Sequence, residues 1–305
     1  LSTSPLYHAA PLRWAMAVQQ LGGTVVVMDR FDAHTALSLI ERYAVTHGTF
    51  VPTHFIRMLK LPEEVRAGVD LSSLRAVVHA AAPCPVPVKE AMIEWLGPIV
   101  HEYYSGTESC GITAISSEEW LRKPGSVGRA VVGRLHIVDD SDRELPAGET
   151  GNVYFSDGPA FQYLNDPEKT AEAHNARGWA TLGDIGHVDE EGYLFLSDRK
   201  SFMIISGGVN IYPQEIENVL VTHPSVADAA VIGVPCEEMG EMVLAVVQPA
   251  PGVDAGDSLA EELRQFTRHA LGGVKTPKRV AFTDALPREP TGKLFKRKLR
   301  DEYRA

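Results

Sequence analysis

The chain has 305 residues, of which 44% are apolar and 23% charged, enough for two domains with substantial buried cores. It carries 29 Lys and Arg against 40 Asp and Glu, and this net charge of −11 argues against a nucleic-acid-binding protein, which must neutralise phosphates. No stretch of the sequence approaches the roughly 20 apolar residues of a membrane helix, and three widely spaced cysteines form neither a disulfide framework nor a zinc site, which indicates a reducing, cytoplasmic compartment.

The first part of the chain alternates short apolar runs with amphipathic segments, a pattern that predicts a parallel α/β sheet. Ala36 to Tyr43 and Val88 to Leu96 have helical spacing, and Gly97 should end the second helix. Ligands of such sheets bind at the carboxyl ends of the strands, where we place Ala81–Pro83 and Tyr103–Glu108. The predicted strands, the first of them buried on both faces, are Val25–Met28, Thr49–Val51 and Leu74–Val78.

From about residue 125 the pattern changes to short β segments, which predict a small antiparallel unit. We expect a boundary after residue 199, so that 1–199 is the C-terminal part of a large domain (α/β to about 124, β-rich from there) and 200–305 is a smaller, mobile α+β domain. The strands predicted from residue 125 onward are Leu135–Val138, Gly151–Phe155, Tyr193–Leu196, Met203–Ile205, Ala229–Ile232, Val243–Val247 and Val280–Phe282. The helices predicted there are Pro213–Val221, Leu259–Leu271 and Lys296–Arg300.

Tyr103 to Glu108 places aromatic, small, hydroxyl and carboxylate groups within six residues. These groups suit a nucleotide, because an aromatic face can bind a base, a hydroxyl a phosphate oxygen and a carboxylate Mg²⁺. A glycine turn beside ordinary core tyrosines would leave the same pattern, and the residues alone do not decide between the two interpretations.

Three further segments allow two interpretations each. Asp184, in a glycine-flanked turn, either bonds its own backbone or accepts the hydroxyls of a ribose. Gly207 and Gly208, between a predicted strand and a helix, either permit positive φ or let a ligand run close to the backbone. Lys293 follows Thr-Gly in a turn that is not a P-loop, and a lysine there is either solvated or presented to a substrate.

Taken in chain order, these segments resemble the adenylate-forming superfamily of acyl- and aryl-CoA synthetases, peptide-synthetase adenylation domains and firefly-type luciferases. The resemblance covers essentially the whole chain, and Lys275–Val280 is similar to the acyl-CoA synthetase branch. The segment Tyr104–Glu108 resembles the family's Y-G-x-T-E motif, with Ser105 in place of the usual glycine. The other matching segments are Pro5–His8, Ala80–Pro83, Gly148–Gly151, Gly183–Asp184, Asp198–Arg199 and Pro290–Lys293.

The resemblance implies that a carboxylic acid attacks the α-phosphorus of Mg·ATP, and that CoA then displaces AMP from the acyl-adenylate. It implies catalytic roles for Lys293, for Glu108 through Mg²⁺ and for Thr107 at the α-phosphate. His8 and His79 are candidates for the acyl pocket, although His79 at a strand end is equally typical of a core histidine. The remaining roles are nucleotide binding by Ala81, Ala82, Pro83, Tyr103, Tyr104 (stacked on adenine), Ser105 and Gly106, ribose binding by Asp184 and Arg199, and a CoA path along Gly207 and Gly208.

Two departures from the family pattern qualify these expectations. The glycine-rich phosphate loop expected upstream of Pro5 is absent and the first residue is not Met, so we expect a C-terminal fragment that is inactive alone. Ser201 and Phe202 stand where the family usually has a charged hinge residue followed by Asp. Two alternatives stay open: an adenylation domain that loads a carrier-protein thiol, and a non-catalytic nucleotide- or acyl-binding homologue. Self-association with a second copy is also an expectation.

Overall fold

The computed structural model describes residues 1–288 and 294–303, and these divide into two compact units. The first unit is Leu1–Leu196 and the second begins at Ser197, three residues before the boundary predicted from the sequence. No helix among the described residues has both the length and the apolar character needed to cross a bilayer.

The first unit contains a mixed five-stranded sheet in the order β1-β2-β3-β4-β5. Strands β1 to β3 are parallel, as predicted, whereas β4 and β5 extend the sheet in antiparallel fashion. The strands are β1 (His47–Phe50), β2 (Ala76–His79), β3 (Val100–Tyr104), β4 (Ile112–Ile115) and β5 (Arg129–Val132). The helices around this sheet are α1 (Ala9–Gln20), α2 (Ala33–Arg42), α3 (Pro52–Leu59), α4 (Glu63–Ala67), α5 (Val86–Leu96) and α6 (Ser117–Arg122).

The prediction of a strand buried on both faces at Val25–Met28 is wrong. The segment pairs with Ser2 through a single bridge, Met28 alone is buried, and Val27 is 47% exposed. An apolar run indicates that a segment can be buried, but it does not show that neighbouring elements bury both of its faces.

A buried ion pair joins α5 to β3 inside this unit. The Lys89 ammonium lies 2.5 Å from Glu102 Oε2 and 4.9 Å from the centroid of the Trp120 ring, and Lys89 is fully buried. Burial raises the pKa of Glu102, while the adjacent Lys89 acts in the opposite direction. The pair ties the helix to the strand that leads directly into Tyr103 and Tyr104.

A four-stranded sheet in the order β6-β7-β8-β9 follows along the chain, and its last strand begins in the first unit and ends three residues into the second. The predicted hairpin is present as β6 and β7, but β8 includes the position of Asp184, where the sequence predicts a turn. The strands are β6 (Arg134–Val138), β7 (Gly151–Ser156), β8 (Ala180–Val188) and β9 (Leu194–Arg199), and the short helix α7 is Pro167–Glu172.

The second unit packs three helices and a sheet in the order β11-β10-β13-β12, with β14 parallel to β13. Gly207 and Gly208 form the two-residue loop between β10 and β11, so they connect two strands rather than a strand and a helix. Both have positive φ (56° and 78°), which such tight hairpin loops require. The elements are β10 (Ile204–Ser206), β11 (Val209–Ile211), α8 (Pro213–Leu220), β12 (Val226–Cys236), β13 (Gly240–Pro249), α9 (Asp257–Leu271), β14 (Arg279–Phe282) and α10 (Lys296–Tyr303).

His54 makes the first unit sensitive to acid. The side chain is buried, its ring stacks on Phe31 at 3.7 Å, and its Nδ1 lies 3.1 Å from Thr3 Oγ1. Burial, helped by the charge of Arg57, lowers the pKa of His54 to about 3. The unfolded chain therefore binds a proton at His54 below about pH 6.5 that the folded chain excludes, so stability falls as the pH drops from there toward 3.

We expect His54→Gln to flatten this loss of stability. The histidine contributes up to about 1.4 kcal/mol per pH unit to the slope of the unfolding free energy against pH. Urea unfolding of the chain at several values between pH 6.5 and 4 measures that slope. His47→Gln, which replaces an exposed histidine of β1, is the control and should leave it unchanged. Identical slopes for His54→Gln and the unaltered chain would contradict the prediction.

Candidate functional site

The site grows from the carboxyl ends of two adjacent parallel strands, β2 and β3, which meet at one edge of the sheet. Ala80 to Pro83 follow β2, and Ala81 has a φ of 75°, in the left-handed region that non-glycine residues rarely adopt. Ala81, Ala82 and Pro83 are exposed. The predicted adenine strip therefore presents accessible backbone, and its strained residue is of the kind that clusters at functional sites.

The segment after β3 closes into a tight turn that presents Thr107 and Glu108. The Ser109 N–H donates to the Gly106 carbonyl over 3.1 Å, and the Ser105 hydroxyl donates to the Gly111 carbonyl over 2.8 Å. Thr107 is exposed and Glu108 is half-buried. Ser105, which departs from the family motif, thus anchors the turn to the chain that follows it.

The side chains of Glu108 and Leu182 lie close to the backbone of Gly106. A Cβ at this position would lie 2.5 Å from Glu108 Oε2 and 2.5 Å from Leu182 Cδ2, both far inside van der Waals contact. The Glu108 carboxylate therefore folds back against the bare backbone of Gly106.

Asp184 reaches the site from a β-bulge in β8. Between the pairs Asn152–Ile185 and Tyr154–Thr181 the register shifts, so that Leu182, Gly183 and Asp184 lie opposite one residue of β7. Gly183 has a φ of 80°. Bulges re-aim side chains and are frequent near active sites, and this one directs Asp184 toward β3.

The hydroxyl of Thr181 stabilises the bulge. It donates to the Val153 carbonyl over 2.7 Å and accepts the Gly183 N–H over 3.0 Å, so it satisfies backbone groups that the irregular ladder would leave unpaired.

Two of the predicted nucleotide residues touch directly. The Tyr104 hydroxyl donates to Asp184 Oδ2 over 2.6 Å, which joins the end of β3 to β8. Asp184 is 8% exposed and Tyr104 is half-buried. The predicted stacking and ribose roles of this pair stay predictions, but the structure places both side chains at one point.

Tyr163 is a site residue that the sequence analysis missed. Its hydroxyl donates to Glu108 Oε1 over 2.7 Å from the segment between β7 and α7, 55 positions along the chain. The sequence shows a tyrosine in the loop before the helix that starts at Asp166 and Pro167. Local sequence pattern cannot predict which residue it contacts so far along the chain.

Cys110 lies near both carboxylates and reports on their charge. Burial, with the negative charges of Glu108 and Asp184, raises the pKa of the Cys110 thiol to about 11. Two carboxylates thus lie near one point of the structure, and carboxylate oxygens suit a cation or the hydroxyl donors of a sugar.

The two histidines predicted for an acyl pocket occupy different environments. His8 precedes α1, and its ring lies 4.5 Å from that of Tyr7, which is 68% exposed. His79 is fully buried at the end of β2, edge-on to Phe55 at 5.1 Å and 3.5 Å from Glu102. Burial and the charge of Lys89 hold the pKa of His79 well below its usual value. His79 is thus packed as a neutral core histidine, and the pocket roles of both residues stay predictions.

Asp198, Arg199, Gly207 and Gly208 belong to the second unit. Asp198 is buried and accepts the N–H of Arg199 over 2.7 Å and that of Gln214, in the first turn of α8, over 2.9 Å. Arg199 is exposed, and Gly208 faces open space. Lys293 lies outside the described residues. The roles of Arg199, Gly207, Gly208 and Lys293 stay predictions.

Comparison with known proteins decides the family. The AMP-binding enzyme family matches residues 1–161, and the AMP-binding enzyme C-terminal domain matches residues 215–293. The chain belongs to the AMP-binding enzymes. This confirms the resemblance to adenylate-forming enzymes on which the site was predicted.

Three relatives show how far the likeness extends. The long-chain-fatty-acid–CoA ligase FadD13 of Mycobacterium tuberculosis is 39% identical over 99% of this chain and 59% of its own length. The fatty acid–[acyl-carrier-protein] ligase ScoC of Streptomyces coeruleorubidus is 37% identical over 99% and 57%. Among solved structures, the o-succinylbenzoate CoA synthetase MenE of Bacillus subtilis, in complex with its acyl-adenylate OSB-AMP, superposes with a TM-score of 0.81 at 31% identity, over 98% of this chain and 60% of that one. The chain therefore spans about three fifths of the length of these relatives.

Cys110 should alkylate far more slowly in the folded chain than in the unfolded one. With a pKa of about 11, about one thiol in a thousand is ionised at pH 8, and burial restricts access further. The measurement is the rate of iodoacetamide labelling at Cys110, read by peptide mass spectrometry with and without urea. We expect folding to slow the reaction at least about 100-fold. Equal rates in both conditions would show that Cys110 is neither shielded nor near the two carboxylates.

Proposed function

We propose that the protein to which this chain belongs is an acyl-CoA synthetase of the adenylate-forming type. A carboxylate oxygen attacks the α-phosphorus of ATP, the bond to the bridging oxygen breaks, and acyl-AMP and pyrophosphate form. The thiolate of CoA then attacks the acyl carbon and releases AMP. The observation that carries the proposal is the Tyr104–Asp184 hydrogen bond at the carboxyl end of β3, with Glu108 on the turn that follows this strand, in a chain that resembles acid–CoA ligases.

The first unit supplies groups for the nucleotide. Tyr104 offers a ring for adenine, Asp184 accepts ribose hydroxyls, and Thr107, exposed on its turn, can donate to the α-phosphate. These groups bind and orient the substrate, and phosphoryl-centre displacement depends mostly on such positioning and on charge stabilisation.

The residues present fit a magnesium ion that arrives with ATP. Mg²⁺ is usually held by one or two carboxylates together with substrate phosphates rather than by an all-protein cage. Glu108 is half-buried, presents its carboxylate beside the turn, and is the residue that would hold the ion. The bound ion would neutralise charge on the phosphate oxygens as pyrophosphate leaves.

A second acceptor is supported by one relative. ScoC, 37% identical, is named as a fatty acid–[acyl-carrier-protein] ligase, so a carrier-protein thiol is the alternative to CoA. Supplying purified acyl-AMP with either CoA or a phosphopantetheinylated carrier protein separates the two functions, because the thioester product differs. If neither CoA nor the carrier protein accepts the acyl group, the non-catalytic homologue is favoured.

We place the protein in the cytoplasm on its cysteine usage. Cys84, Cys110 and Cys236 are all free thiols, as expected in a reducing compartment.

Asp184→Ala should weaken AMP binding to the 305-residue chain by roughly 1.5–3 kcal/mol, the value of a hydrogen bond to a charged group. Isothermal calorimetry measures the affinity. Asp189→Ala, which removes a carboxylate just beyond the end of β8 that pairs with Lys123, is the matched control and should bind AMP as the unaltered chain does. Equal affinities for all three proteins would remove Asp184 from the nucleotide site.

Lys293→Ala tests the two-step reaction in the full-length protein. An ammonium that stabilises the adenylation transition state is typically worth about 10²–10³ in rate. We expect that loss in acyl-AMP formation, with thioester formation from supplied acyl-AMP nearly unchanged and ATP binding retained. Lys293→Arg is the control that keeps the charge. Equal losses in both half-reactions would contradict a role confined to adenylation, and no loss in either would make Lys293 a solvated surface residue.

A further inference from the structure

The orientation of the Glu108 carboxylate must be fixed by specific contacts, because burial alone does not fix it. Glu108 lies half-buried in a turn, and its side chain has three rotatable bonds. If these bonds rotate freely before a ligand binds, fixing them on binding costs conformational entropy. Two contacts restrict it. One carboxylate oxygen, Oε2, folds back against Gly106, and the other, Oε1, accepts the hydroxyl of Tyr163.

Tyr163 is itself held on several sides. Its backbone N–H donates to the Thr170 hydroxyl over 2.9 Å. The Lys169 ammonium lies 4.1 Å from the centroid of its ring, and the Phe161 ring packs edge-on at 5.5 Å. These contacts restrict the Tyr163 ring and so fix the position of the hydroxyl that donates to Glu108.

The anchor of Tyr163 continues into α7. The Asp166 side chain caps that helix by accepting the Lys169 N–H over 2.9 Å, and the Thr170 hydroxyl donates to the Asp166 carbonyl over 2.8 Å. Lys169 and Thr170, the two α7 residues that contact Tyr163, are therefore fixed by the helix start. A chain of contacts runs from α7 through Tyr163 to the carboxylate.

We propose that Tyr163 is a positioning residue that holds the Glu108 carboxylate in the orientation needed for the metal–nucleotide complex. The inference rests on the proposed function. The phenol binds Oε1, so Oε2, which lies on the Gly106 side, is the oxygen that would meet a metal bound with the phosphates. Because the phenol is a neutral donor, this bond does not cancel the negative charge that attracts the cation.

The consequence is a specific energetic signature. Tyr163 contributes to the part of ATP affinity that depends on Mg²⁺ and not to the part that depends on the nucleoside. Outer partners of metal ligands are typically worth about 10- to 100-fold in metal affinity. Tyr163→Phe keeps the ring contacts with Lys169 and Phe161 and removes the hydroxyl alone, so the fold should persist.

The experiment measures ATP affinity of the full-length protein by calorimetry in excess Mg²⁺ and in EDTA, and AMP affinity in EDTA. For Tyr163→Phe we expect the gain in ATP affinity on adding Mg²⁺ to shrink by about 10- to 100-fold, with both EDTA affinities unchanged. Glu108→Gln should lose at least as much of the gain. Tyr193→Phe is the matched control, because its hydroxyl donates to Glu119, outside this site, over 3.2 Å, and it should behave as the unaltered protein.

Three other outcomes would contradict the proposal, and each identifies which part of it is wrong. If Glu108→Gln loses the magnesium-dependent gain and Tyr163→Phe keeps it, Tyr163 does not position the carboxylate, and the proposed function stands. If Tyr163→Phe weakens AMP and ATP equally in EDTA, its role is structural. If Glu108→Gln keeps the gain, Glu108 is not the metal ligand, and the corresponding part of the proposed function fails with the inference.

Discussion

The hydrogen bond from Tyr104 to Asp184 is the interaction on which the candidate site depends. It is 2.6 Å long and links the five-stranded sheet to the four-stranded sheet of the first unit, at the point where β3 ends and the bulge of β8 turns inward. An O–H donor to a carboxylate at this length is among the stronger protein hydrogen bonds. Both partners must therefore be placed by the backbone before the bond can form.

The buried pair of Lys89 and Glu102 helps to place one of them. Side chains alternate along a strand, so Glu102 and Tyr104 leave the same face of β3. The ion pair ties that face to α5 two residues before the site begins. Removing one partner of such a pair leaves a buried charge uncompensated, commonly at about 3–5 kcal/mol. The ion pair thus stabilises the strand from which Tyr104 extends.

Local pattern predicted much of the fold and the first half of the site. Helix α5 and the hairpin of β6 and β7 follow from periodicity and turn residues that lie close together in sequence, whereas Tyr103 and Tyr104, expected to follow a strand, are the last residues of β3. Asp184 in a bulge and Tyr163 against Glu108 do not follow from local pattern, since each depends on a register or contact between distant segments. The run at Val25 failed for the same reason: its apolar residues do not reveal which neighbour covers them.

The carboxylates of Glu102, Glu108 and Asp184 have two kinds of partner. Glu102, in the core, lies against the cation of Lys89, which offsets its charge and suits a purely structural group. Glu108 and Asp184, at the site, accept hydrogen bonds from the phenols of Tyr163 and Tyr104, and a phenol is a neutral donor. A neutral donor orients a carboxylate and adds no charge of its own, which suits carboxylates that are to meet a metal ion and ribose hydroxyls.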